Sequence, residues 1–73
     1  MTMELKGTIE RKDIGVGTWA LVTDSGETYE LKDAPTDLKQ AGLKATVEGV
    51  IREDVMTMAA IGPVFEVHSF SVN

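Results

Sequence analysis

Asp33-Ala34-Pro35-Thr36-Asp37-Leu38-Lys39-Gln40-Ala41-Gly42 is the stretch on which the fold turns, because a chain that otherwise alternates apolar and polar positions changes its period here. A proline stands where a first helical turn tolerates one, Asp37 follows in that turn, and Gly42 supplies a stop. The stretch predicts one short helix, Pro35 to Ala41. Its apolar residues Leu38 and Ala41, with Leu43 just beyond, are too few to cover an open sheet but enough to plug one end of a barrel.

Strands are predicted on both sides of it. Met3, Leu5, Gly7 and Ile9 alternate with Glu4, Lys6, Thr8 and Glu10, a half-buried strand over Met3 to Glu10. After a loop containing Gly15 and Gly17, Trp19, Leu21 and Thr23 alternate with Thr18, Ala20 and Val22 in a second strand. Asp24-Ser25-Gly26 is turn chemistry, and Tyr29 and Leu31 then share a face against Thr28, Glu30 and Lys32, so the second and third strands form a hairpin. Beyond the helix, Ala45, Val47, Gly49 and Ile51 alternate with Thr46, Glu48, Val50 and Arg52, with Gly49 marking a bend and a turn following at Glu53-Asp54-Val55.

The final third is less regular. Thr57 to Ile61 reads as extended, Gly62-Pro63 interrupts it, and Val64 to Val72 resumes as the fifth strand. Phe65 and Val67 share one parity and Phe70 and Val72 the other, so all four face inward only with a bulge near His68-Ser69. Between Val55 and Phe65 apolar groups occupy both parities, more than the wall of one barrel absorbs. Met56, Met58, Ile61 and Phe65 are therefore the candidate binding residues, meeting a protein partner or a second copy of the chain in a homo-oligomer, unless this segment folds back over its own barrel end.

Strand, strand, strand, short helix, strand, strand predicts an all-β fold, a five-stranded Greek-key barrel with the helix between the third and fourth strands. Gly17-Thr18-Trp19-Ala20-Leu21-Val22-Thr23-Asp24, Gly26-Glu27-Thr28-Tyr29-Glu30-Leu31, Val47-Glu48-Gly49 and Phe65-Glu66-Val67 resemble small, mostly uncharacterised prokaryotic proteins of the OB-fold superfamily. The resemblance spans nearly the whole chain and implies that barrel. It carries over no catalytic or ligand-reading residue, and OB-folds as a group bind oligonucleotides, oligosaccharides or proteins. The SH3-like barrel, which usually lacks a helix at this position, is the competing fold.

Length and composition set outer bounds. Seventy-three residues close one small core, so residues 1–73 form a single domain. Seven Lys and Arg against twelve Asp and Glu leave a net charge of −5, which disfavours holding nucleic-acid phosphates by bulk electrostatics. No cysteine is present, which removes disulfides, thiolate metal sites and cysteine nucleophiles. Met1-Thr2-Met3-Glu4-Leu5-Lys6 has neither the basic leader nor the apolar centre of a signal peptide, and the expected location is cytoplasmic. The apolar run from Val55 to Phe65 is far shorter than the roughly 20 residues of a membrane helix.

Each residue that invites chemistry has a plainer reading. Trp19 and Tyr29 sit where OB-fold binders present aromatics to bases, yet both are in phase with the leucines of their strands and are expected in the core. Lys6, Arg11, Lys12, Lys32, Lys44 and Arg52 are interleaved with acids, the pattern of cross-strand pairing on a solvated face. Gly15-Val16-Gly17 is followed by a strand instead of a helix N-terminus, so it shapes a loop and does not cradle phosphate. His68 is the one conventional general base, without a nucleophile elbow beside Ser69 or Ser71, and is expected to point outward. Met56, Met58 and His68, even with Met1 or Met3, lack the repeats of a soft-metal site, and Glu53-Asp54 is too short for a calcium loop. The sequence thus predicts a non-catalytic binding or assembly module without metal or cofactor, working through protein–protein contacts. The alternative is oligonucleotide or oligosaccharide binding across the outer face of the second and third strands.

Overall fold

The alternating segments pair as a ladder that returns to its own start. The computed structural model describes residues 2–13, 17–54 and 61–73. Within them lie β1 (Met3–Lys12), β2 (Thr18–Thr23), β3 (Thr28–Lys32), β4 (Lys44–Ile51) and β5 (Val64–Val72), with a 3-10 turn at Thr36–Leu38 between β3 and β4. The sheet closes in the order β1-β2-β3-β5-β4. Every neighbouring pair is antiparallel except β3 and β5, which run parallel through Glu30↔Val64, Leu31↔Phe65 and Lys32↔Glu66. This is the all-β, OB-fold-like Greek-key barrel that the strand order predicts.

Closure of so small a ring requires bent strands. β1 pairs with β4 from Met3 to Thr8 and with β2 from Gly7 to Lys12, so the two ladders overlap at Gly7 and Thr8. A Cβ at Gly7 would run into the Val22 carbonyl, which leaves room for glycine alone. Another close approach is at Gly49, where a Cβ would meet the Glu66 carbonyl oxygen. Here the β4–β5 register shifts: Glu48 faces Ser69 but Gly49 faces Val67, so His68 is the extra residue of β5. The bulge stands where the parity change demands it. It brings Phe65, Val67 and Phe70 onto one core, whereas Val72, paired with Ala45 of β4, is 59% exposed instead of joining it.

Ile9, Leu21, Tyr29, Leu38, Ala45, Val47, Phe65 and Val67 form the core. The Tyr29 and Phe65 rings meet edge to face at 6.1 Å, an arrangement that aromatic quadrupoles favour. Trp19 departs from expectation, being half-buried and packed against the cluster from its margin. The predicted helix contracts to the single 3-10 turn. Pro35 at its N-cap is extended and offers no side-chain cap, Asp33 and Gly42 at either end take positive φ, and seven residues cannot offset the cost of nucleating an α-helix. Leu38 nevertheless inserts completely and plugs the barrel, while Ala41 stays exposed.

Candidate functional site

The end of the barrel where β4 leaves and β5 enters carries a continuous chain of charged side chains. Arg52, just past β4, keeps its backbone on the ladder by donating its N–H to the Val64 carbonyl at 2.8 Å. Its Nε and Nη2 donate to the two Asp54 carboxylate oxygens at 2.9 and 2.8 Å, and its Nη1 donates to Glu66 Oε1. The other Glu66 oxygen meets His68 Nε2 at 3.0 Å. Lys32, the register partner of Glu66 on β3, completes the group and is paired with Asp33 at 3.0 Å. One side chain, Glu66, thus joins the turn after β4 to the bulge of β5.

The electrostatics follow from this geometry. The Arg52 guanidinium holds the Asp54 carboxyl down to about 2. Glu66 lies below the usual carboxylate range, first through its hydrogen bond with His68 and then through Arg52. Arg52 itself is held above its ordinary value by Asp54 and then Glu66. Asp54 and His68 are solvent-exposed, with side chains 67% and 42% accessible, so these contacts orient the surface more than they stabilise it. Among the described residues, no three His, Cys, Asp or Glu gather in a way that could hold a metal ion.

Of the four binding residues expected from the sequence, Met56 and Met58 lie outside the described residues. Ile61 is half-buried beside the Gly62-Pro63 break. Phe65 is a correction: it is fully buried, and as the largest closed-off core side chain it is unavailable to a partner. Parity alone placed it on either wall, and the Leu31↔Phe65↔Ile51 register put it inside.

His68 is exposed, as expected, but it is not isolated. An i, i+2 spacing on one strand face sets it beside Glu66, and the spacing was visible in the sequence even though the Arg52 contact was not. The hydroxyl of Ser69 donates to Glu48 at 3.5 Å, away from any role beside His68. Charges pair differently from the expected cross-strand pattern. Arg11–Asp13, Lys12–Glu10, Lys32–Asp33 and Arg52–Asp54 join residues one or two positions apart, whereas Arg52–Glu66 joins the turn after β4 to β5. On the outer face of β2 and β3, Ala20 and Glu30 are buried although they occupy the outward row. No helix among the described residues is long and apolar enough to cross a membrane. No protein-family model matches the chain, and no curated protein matches it.

Proposed function

We propose that the chain is an OB-fold domain acting as a non-catalytic binding or assembly module, which meets a protein partner around the β4–β5 connection. The observation that carries this reading is a surplus: residues Val55 to Phe65 hold apolar groups on both parities, and of the described part the barrel wall buries only Val64 and Phe65, leaving Ile61 half-buried. The charged chain of Arg52, Asp54, Glu66 and His68 supplies polar groups at the end of the barrel where that connection begins and ends. Oligonucleotide or oligosaccharide binding across β2 and β3 is the weaker reading, since the centre of that face is buried and Lys32 is engaged by Asp33.

The test is a pull-down with the whole chain, comparing wild type with Met58→Glu/Ile61→Lys, alongside a single-stranded DNA titration at low salt. Capture of a specific protein that the double variant loses supports the module. Salt-sensitive DNA binding by the wild type, with no protein captured, favours the rival.

A further inference from the structure

Four of the seven cations, Arg11, Lys12, Lys32 and Arg52, are engaged by acids of the same chain. Lys6, Lys39 and Lys44 form no ion pair among the described residues, and two of these three share one surface, the outward face of β1 and β4. There Lys6 stands opposite Thr46, and Lys44 stands opposite Thr8 on the next row. On the row to the other side, Glu4 lies directly opposite Glu48, a like-charge cross-strand pair that costs stability. The Ser69 hydroxyl, at 3.5 Å, is the contact that reaches Glu48. Glu4, Lys6, Lys44 and Glu48 are all exposed. This face is split into an acidic row and a basic pair, and neither half is neutralised by an ion pair among the described residues.

We propose that the outward face of β1 and β4 is a self-complementary docking surface for a second copy of this chain. A two-fold axis lying along the face, across the strands between the acidic row and Lys6, turns the acids of each copy over the lysines of the other. Such an isologous contact satisfies both halves at once and relieves the Glu4–Glu48 repulsion twice. The face is small and polar, so the dimer is reversible and belongs at the weak end of protein interfaces. It is separate from the surface around Ile61 and stands or falls without it.

Charge exchange provides the test, read by sedimentation at high protein concentration and moderate salt, with circular dichroism verifying that each variant folds. Wild type is expected to dimerise reversibly. Glu4→Lys/Glu48→Lys and Lys6→Glu/Lys44→Glu should each weaken self-association by about tenfold or more, and an equimolar mixture of the two should restore it. A control carrying Glu27→Lys/Asp37→Lys has the same net charge as the first variant, and mixed with the second it should stay monomeric. Should a lysine variant unfold, Glu4→Gln/Glu48→Gln serves in its place and should weaken the dimer by itself. Ile61→Lys should leave the dimer intact. A wild type that is monomeric at every concentration overturns the proposal, as does a control mixture that associates as well as the matched one.

Discussion

Gly49 and Arg52 show how single residues set the geometry of the β4–β5 end. At Gly49 the Glu66 carbonyl occupies the space a side chain would need, so Gly49→Ala forces the strands apart at the bulge. The expected cost is about 1–3 kcal/mol, measured as a lower urea midpoint with an unchanged slope. Arg52 acts through charge. Asp54 and Glu66 both titrate below their unfolded values, so the stabilisation they carry is present above the ordinary carboxylate range and is lost as pH falls through it, for Asp54 down to about 2. Arg52→Met should raise the Asp54 carboxyl towards about 3.9 in an NMR titration and flatten that acid limb of stability. An Asp54 value that does not move would show that the bidentate contact is absent in solution. The Arg52 contacts were not legible beforehand. Strand parity placed Glu66 and Arg52 on the outside, but their meeting depends on a register that no single strand encodes.

Legibility differed between elements for physical reasons. β2 and β3 emerged with the boundaries read from the sequence because Asp24-Ser25-Gly26 pins both ends of the hairpin: Gly26 takes φ 92°, and its N–H reaches the Thr23 carbonyl at 2.9 Å. The bulge was legible because apolar residues switched parity between Val67 and Phe70. Deleting His68 should therefore turn Phe70 outward and abolish cooperative unfolding, seen as loss of a sharp thermal transition. The helix was misjudged in length, since its composition carries stop signals at both ends but too few residues between them. Its one essential contribution is the plug, and Leu38→Ala should cost about 2–5 kcal/mol in chemical denaturation. A loss well under 1 kcal/mol would mean that the barrel end closes without it.

At the scale of the whole molecule, stability is a small number. A chain of 73 residues is expected to hold roughly 4–11 kcal/mol, and nothing covalent reinforces it. Phe65→Ala, which empties the centre of the barrel, should remove about 3–5 kcal/mol and leave the domain partly unfolded near body temperature, by calorimetry. Trp19 fluorescence should follow the same transition, given its half-buried place against the core. The fold class was legible at this scale because five alternating segments around one period change admit few closures. The candidate surface was less so, because which of its apolar residues the wall absorbs is decided by strand pairing, as Phe65 shows.

Ring closure also orders events in time. β1, β2 and β3 are joined by short local pairings, as are β4 and β5, but two seams link these halves: β1 with β4, and the parallel β3 with β5. Both seams bring together residues far apart in sequence, so each must overcome chain entropy before its contacts reward it. The two halves should acquire structure first and the seams should zip last, at rates in the millisecond-to-second range of barrels with distant contacts. Until then the rims of β1, β3, β4 and β5 are open to other chains, and the barrel that has no edge when folded has four while it is folding.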